Sequence, residues 1–357
     1  MDKIRLLFLP LVDAGNVNAQ SLNVREIALR LDPDRFQITL WYERVPDPRL
    51  IGCSWIHLEQ LPARRRTARI VREMLSGYDI IAYVDYSPAT YAFVHLPQVL
   101  RGRTKVVFQA EAPMAQITNP SRTLRFLHRG ILPRCDVYTA ITDYVGQDLQ
   151  AAAKKNVNYI LPVGVDLRWF RPPAQRSNLS PVVLFAGTVM ERKGPQFLVD
   201  AAAHFPSAIF RIVGAGRDGF DETLRHKIAE SGFKNVTLEG TKTQAELLDI
   251  MRQSDIFLLP SRLEGIPKVS LEAAAAGLPC IVFRDYETPS VVDGVTGFQV
   301  KTNDEMMKAL ARLIENRELR ERMGAAARQH IAQFDWDVVS RRWESAYLEI
   351  AEKRGHR

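Results

Sequence analysis

The feature that most restricts the fold of this chain is a repeated alternation of strand-like and helix-like segments. Strand-like runs are expected at 3–9, 36–41, 53–57, 79–84, 104–108, 136–140 and 157–161. After an interruption they resume at 182–186, 208–213, 235–238, 255–259, 279–283 and 298–300. Runs such as Val182-Val183-Leu184-Phe185-Ala186 and Ile256-Phe257-Leu258-Leu259 are apolar at every position, not at alternate ones. A strand of that kind is covered on both faces. Helical patterns fill most of the gaps. One of them, 243–253, opens with a capping box from Thr243 to Glu246, and another opens at Thr302 with Glu305 three residues on. The alternation implies an α/β fold of parallel sheets coated by helices on both sides.

The interruption at 169–181 is rich in Pro and Ser and has no periodicity, so it reads as a linker between two doubly wound domains. Three helices are expected after the last strand, at about 304–315, 317–333 and 336–353. Two such domains create a cleft at the carboxyl ends of both sheets, where ligands bind in folds of this kind. At 357 residues the chain is long enough for both.

Composition narrows the class. Hydrophobic content of 46% and charged content of 25% are those of an ordinary globular protein. Cys53, Cys135 and Cys280 are odd in number, widely spaced and without metal-ligand spacing. They argue for a reducing compartment, hence a cytoplasmic protein, and against a disulfide framework. No apolar run approaches the ~20 residues that span a bilayer. The first twelve residues faintly resemble a signal peptide, but a buried first strand is the better reading. The net charge of +7 is uneven: residues 64–134 carry 12 Lys and Arg against 4 Asp and Glu. Basic character confined to one region points to an anionic partner.

Residues 260–277, Pro-Ser-Arg-Leu-Glu-Gly-Ile-Pro-Lys-Val-Ser-Leu-Glu-Ala-Ala-Ala-Ala-Gly, carry the strongest chemical signal. Glu264 precedes a Gly-x-Pro turn, and Glu272 sits in the helix that follows, with seven residues between them. Free N–H groups at such a helix start suit an anion, and the carboxylates accept from hydroxyls on either side. A phosphate flanked by two polyol rings describes a sugar nucleotide. Spacing alone proves little, since Glu222/Glu230 and Glu344/Glu352 repeat it in polar helical stretches. The buried strand before Glu264 and the alanine run after Glu272 distinguish the first pair. Closer packing of that helix on a sheet is the structural alternative.

Upstream, a strand ends at Gly187, and Arg192 and Lys193 close the loop before a helix expected near Gly194. Cations there would suit a diphosphate, although an exposed basic loop has the same sequence. Residues 214–219, Gly-Ala-Gly-Arg-Asp-Gly, match the dinucleotide fingerprint, with Glu239 about 20 residues on. The unit lies deep in the second domain and Arg217-Asp218-Gly219-Phe220 reads as a polar loop, so dinucleotide binding is disfavoured.

Together these segments resemble the retaining glycosyltransferases of glycosyltransferase family 4, with the GT-B fold of two Rossmann-like domains facing a cleft. The matching segments are Glu191-Arg192-Lys193-Gly194, Val213-Gly214-Ala215-Gly216, Leu238-Glu239-Gly240, Pro260 to Pro279 and Asp293-Gly294-Val295-Thr296-Gly297-Phe298, with weaker matches at Gly15 and Pro162 to Asp166. The resemblance implies an acceptor-binding domain of 1–170 plus 336–357, with a C-terminal helix crossing back, and a donor-binding domain of 171–335.

It also implies transfer from a nucleotide-diphosphate sugar with retained configuration and without a catalytic metal. Glu264 would contact the donor sugar, Glu272 the ribose and Lys193 the diphosphate. Backbone N–H groups of Gly265, Ile266, Pro267, Lys268 and Val269 would surround the phosphates, less the one proline lacks. The base would lie near Glu239, Gly240 and Lys242, with Gly187, Thr188, Arg192 and Gly214 lining the donor site. Gly15, Asn16, Asn18 and Glu111 would serve the acceptor. The Asp-x-Asp matches at 32–34 and 335–337 are then a surface turn and a helix start.

Three departures stand out. Thr188 replaces the usual Arg, leaving Arg192 as second cation. Phe108-Gln109-Ala110-Glu111 lacks the usual histidine, with Glu111 as an acceptor-side partner. Arg284-Asp285-Tyr286-Glu287-Thr288-Pro289 replaces Gly-Gly-x-x-Glu. An epimerase on a similar fold and a non-catalytic sugar-nucleotide or glycan binder are the rival readings. The acceptor is expected to be a glycan, a lipid-linked molecule or a small molecule. Arg64-Arg65-Arg66 with Arg69 and Arg72, and Arg122, Arg125 and Arg129 beside Leu124, Leu127 and Ile131, predict docking to the inner face of an anionic membrane. Nucleic acid is disfavoured, because no aromatic interleaving accompanies the arginines.

Overall fold

The computed structural model describes residues 2–9, 14, 19–61, 64–113 and 121–353. The chain divides into two compact units, Met1–Val163 with Trp336–Arg357, and Gly164–Asp335.

The first unit is built on a seven-stranded parallel sheet: β1 (Ile4–Phe8), β2 (Phe36–Tyr42), β3 (Ile56–Gln60), β4 (Ile80–Ala82), β5 (Lys105–Ala110), β6 (Val137–Ala140) and β7 (Tyr159–Ile160). They lie in the order β3-β2-β1-β4-β5-β6-β7. Leu6 pairs with Ile38 on one side and Ile80 on the other. The third strand starts three residues later than its apolar signal, because Cys53 to Trp55 form a turn in which Trp55 donates to the Ala28 carbonyl (3.1 Å). As an edge strand with one side open, β3 tolerates His57, Glu59 and Gln60, which hydropathy does not mark as strand.

The second unit repeats the plan with β8 (Val182–Ala186), β9 (Ile209–Val213), β10 (Val236–Leu238), β11 (Ile256–Leu259), β12 (Cys280–Phe283) and β13 (Gly297–Val300), in the order β10-β9-β8-β11-β12-β13. Strands β8, β11 and β12 are buried at every residue, as continuous apolar runs require. In both sheets the order reverses beside the first strand, between β1 and β4 and between β8 and β11. Ligands of doubly wound folds bind at the carboxyl ends of strands flanking such a reversal.

The helices start where the sequence marks them. In α9 (Gln244–Arg252) the Thr243 and Glu246 side chains cap each other's backbone N–H groups. Thr302 caps α11 (Asn303–Glu315) by accepting from the Glu305 N–H. Helix α10 (Lys268–Ala275) ends at Gly277, whose φ is +75°. Helix α13 (Trp336–Glu352) packs on the first unit: Trp343 Nε1 donates to the Pro162 carbonyl (3.0 Å), and its ring stacks on Tyr83 at 6.1 Å.

The Pro-rich stretch at 169–181 belongs to the second unit and is not a free linker. Arg176 donates to the carbonyls of Ala276 (2.5 Å) and Gly277 (3.2 Å), and Asn178 to Asp255 (2.7 Å). The crossing falls earlier, between Val163 and Gly164, because Val165 already bonds to the Phe334 carbonyl (2.9 Å). Asp32 and Asp34 form a surface turn closed by the Asp34 N–H on Asp32 (2.9 Å), and Asp337 lies in the first turn of α13. Glu222 and Glu230 are exposed on α8 (Phe220–Ser231), while Glu344 and Glu352 ride on α13. Glu222, Glu230 and Glu352 are solvated helix charges, whereas Glu344 is half-buried and accepts from the Asp32 N–H (3.2 Å).

Candidate active site

The loop leaving β8 and the loop leaving β11 meet at the reversal point of the second sheet. The first ends in a single 3-10 turn, Glu191–Lys193, before α7 (Gln196–His204); the second runs from Pro260 to Pro267 into α10. Lys193 Nζ lies 2.5 Å from Glu264 Oε1, and Ser261 donates its hydroxyl to the same oxygen at 2.6 Å. Arg192 stands 3.8 Å from it and donates to the Leu263 carbonyl. The Glu264 side chain is 8% exposed and that of Lys193 17%. The residues expected to hold the donor sugar and its diphosphate thus form one shielded ion pair.

Glu272 points from α10 into a buried setting and is 8% exposed. Burial raises its carboxyl above the usual range, and the nearby Lys268 charge only partly opposes this. Gly265, Ile266 and Pro267 are buried; Lys268 and Val269 are half-buried at the helix start. Ala273 to Ala276 are fully buried. Here the small residues serve packing: a Cβ on Gly324 of α12 (Arg317–His330) would come within 2.2 Å of the Gly277 carbonyl oxygen.

Behind the ion pair, the ends of β8, β9 and β10 converge through backbone. Gly187 N–H donates to Val213 (3.0 Å), and Gly214 N–H to Gly240 (2.9 Å). A Cβ on Gly214 would sit 1.7 Å from the Gly187 carbonyl oxygen, and its φ is +148°. Thr188 is exposed beside this seam. Glu239 is held by both arms of Arg211 (2.5 and 3.0 Å), with Lys242 at 3.8 Å. Arg211 lies in mid-strand on β9, where residue type alone gave no reason to single it out.

The Gly-x-Gly-x-x-Gly loop does not form a phosphate cradle. The space beside Gly216 is filled by the Asp221 carboxylate, 2.0 Å from where a Cβ would stand, and a carboxylate there opposes an anion. A cavity of about 540 Å³ elsewhere on this unit is lined by Arg176, Arg317, Arg320 and Arg328. All four guanidinium groups are committed to carbonyls: Arg176 to Ala276 and Gly277, Arg317 to Arg176, Arg320 to Leu313 and Ile314, and Arg328 to Leu167, Phe170 and Ala275.

In the first unit, Glu111 follows β5 and accepts from Tyr83 Oη (2.7 Å) and from Asn23 Nδ2 (2.9 Å) of α1 (Ala19–Ala28). Tyr83 is fully buried with a φ of +56°, a costly backbone state for a bulky residue. Burial and the Glu111 charge raise its phenol well above the ordinary value. The three residues come from the segments after β1, β4 and β5, at that sheet's own reversal point. Gly15, Asn16 and Asn18 lie outside the described residues.

Residues 170–330 match the family described as Glycosyl transferases group 1. A GDP-mannose-dependent alpha-(1-6)-phosphatidylinositol monomannoside mannosyltransferase of Mycobacterium tuberculosis is 32% identical over 273 residues, 64% of this chain and 70% of that protein. The monoacylated-substrate counterpart in Corynebacterium glutamicum is 30% identical over 240 residues, 60% of this chain and 62% of its own length. The chain spans about three fifths of the length of several curated relatives it matches. The crystal structure of Anabaena HepE in complex with UDP and glucose superposes with a TM-score of 0.77 at 17% identity, covering 97% of this chain and all of that one. Two doubly wound units and these relatives lead to one conclusion: the chain belongs to the group 1 glycosyl transferases and carries the GT-B fold.

Proposed function

We propose that the chain transfers a sugar from a nucleotide-diphosphate sugar to a glycan, lipid-linked or small-molecule acceptor, with retention at the anomeric carbon. The observation that carries this reading is the Lys193–Glu264 pair at the reversal point of the second sheet (2.5 Å). On donor binding, Lys193 exchanges the carboxylate for the diphosphate, and Glu264 becomes free to accept from sugar hydroxyls. Glu272 accepts from the ribose hydroxyls. As the glycosidic C–O bond breaks, negative charge grows on the leaving phosphate. A preplaced cation stabilises that charge, and losing one such donor costs ~3–4 kcal/mol of barrier. The acceptor attacks from the face the phosphate leaves, and a phosphate oxygen takes its proton. Lys193 and Arg192 perform the neutralisation that a metal ion would otherwise supply, so the reaction needs none.

Glu111, oriented by Tyr83 and Asn23, receives an acceptor hydroxyl on the first unit. The relatives' names specify GDP-mannose and phosphatidylinositol mannosides, which supports a lipid-linked acceptor. No helix among the described residues is long and apolar enough to cross a membrane. The predicted docking face is on α5 (Arg122–Ile131): Arg122, Arg125 and Arg129 are exposed around Phe126, itself 60% exposed, while Leu127 and Ile131 are buried. The cluster at 64–72 contributes less, because Arg66 and Arg69 are already paired with Glu43 and Glu59 (3.0 Å each).

The test is incubation with labelled UDP-, GDP-, ADP- and dTDP-sugars. Transfer or slow hydrolysis of one donor, with the product anomer read by NMR, is the expected result. An altered, unreleased sugar would instead make the chain an epimerase.

A further inference from the structure

The loop after β12 departs from the family pattern, and its structure gives the departure a role. Strands β11 and β12 are parallel neighbours, with Leu259 beside Val282. The segments leaving them therefore run side by side, one leading to Glu264 and the other from Arg284 to Ser290. Arg262 ties them together, meeting the Asp285 carboxylate at 2.8 Å and lying 3.8 Å over the Phe283 ring. At the far end, the Ser270 and Ser290 hydroxyls bond at 2.8 Å and fasten the loop to α10.

Between these fastenings the loop turns two side chains inward. Tyr286 is 4% exposed and Thr288 3%, whereas Asp285 and Glu287 face out. Among the described residues, Tyr286 Oη and Thr288 Oγ1 face each other, and neither has a hydrogen-bond partner beyond the other. Folded proteins seldom leave buried hydroxyls unbonded, because each loses its water without replacement. One bond between two buried hydroxyls still leaves a proton and several lone pairs open. After burial, the charge that most raises the Tyr286 phenol is that of Glu264, so this hydroxyl lies in the field of the carboxylate assigned to the donor sugar.

We infer that Tyr286 and Thr288 are specificity-determining residues, whose hydroxyls bind hydroxyl groups of the transferred sugar beside Glu264. The inference rests on the donor-site reading above. A sugar hydroxyl both donates and accepts, so it can satisfy a phenol and a threonine together. An epimer or deoxy sugar that misses them leaves both buried with no partner but each other. A site built to bond a hydroxyl rejects analogues without it far more strongly than an apolar pocket does.

Tyr286→Phe and Thr288→Val variants of the full chain, titrated by calorimetry with the donor selected in the screen and with its bare nucleoside diphosphate, provide the test. Each substitution is expected to weaken the sugar nucleotide about tenfold and to leave the nucleoside diphosphate unchanged. The ligand-free melting temperature should hold, since only the bond between the two hydroxyls is lost and one buried polar group goes with it. Unchanged sugar-nucleotide affinity overturns the inference and leaves the donor site standing. A lowered melting temperature without ligand also overturns it, by showing the hydroxyls to be structural. If the unaltered chain binds neither sugar nucleotides nor nucleoside diphosphates, the donor reading fails, and the inference with it.

Discussion

Removing either member of the Lys193–Glu264 pair should destabilise the second unit, and removing both should largely restore it. At 2.5 Å and an effective dielectric near 20, the gross attraction is about 7 kcal/mol. Taking two ions out of water costs several kcal/mol each, so the intact pair adds little net stability. A single truncation differs, because it strands the other charge, at about 3–5 kcal/mol. In Lys193→Met, Arg192 at 3.8 Å and the Ser261 hydroxyl still face Glu264, which puts the loss near the lower end. In Glu264→Gln, Lys193 and Arg192, whose side chains are 17% and 33% exposed, turn partly to water. The loss there is about 2 kcal/mol. The double variant should lie within about 1 kcal/mol of the unaltered chain, giving a coupling energy of about 4–5 kcal/mol. Denaturant unfolding followed by circular dichroism measures all four proteins. Additive losses, or single-variant losses below about 0.5 kcal/mol, would refute the shielded-pair argument.

Three further outcomes follow from the same geometry. Glu272→Gln should be more stable than the unaltered chain at neutral pH, since it removes a carboxylate whose burial raises its pKa. A raised acid holds its proton more tightly folded than unfolded, so its ionisation costs stability as pH rises through the folded value. The advantage of Gln should therefore shrink as pH falls towards the ordinary carboxylate range, while its nucleotide affinity stays low throughout; melting temperatures and titrations across pH read both. Gly214→Ala should cost about 3 kcal/mol or more, because the new Cβ meets the Gly187 carbonyl at 1.7 Å; thermal unfolding measures it. Reversing Arg122, Arg125 and Arg129 to Glu should abolish co-sedimentation with anionic vesicles at low salt, each basic residue being worth ~1 kcal/mol near the surface. Transfer to a water-soluble acceptor should persist, as it should in EDTA.

Local chemistry made much of the fold legible before any tertiary contact was known. Each of the thirteen strand-like runs lies at or near a strand, and those covered on both faces, such as β8, β11 and β12, are apolar throughout and need no distant partner to be recognised. Thr243 with Glu246 and Gly277 with Pro279 marked a helix start and a helix end for the same reason: the groups that satisfy the backbone there are close in sequence. The setting of Glu264 and Glu272, a strand before and a compact helix around, was equally local.

Other properties depended on which strands became neighbours. The order β8-β11-β12 brings Lys193 against Glu264 and sets Tyr286 in the field of that carboxylate. It also committed the alanine run to packing. Hydropathy periods report how a segment meets its own surroundings. An ion pair or a strained Tyr83 is set by segments far apart in the chain, and only the assembled sheet decides them.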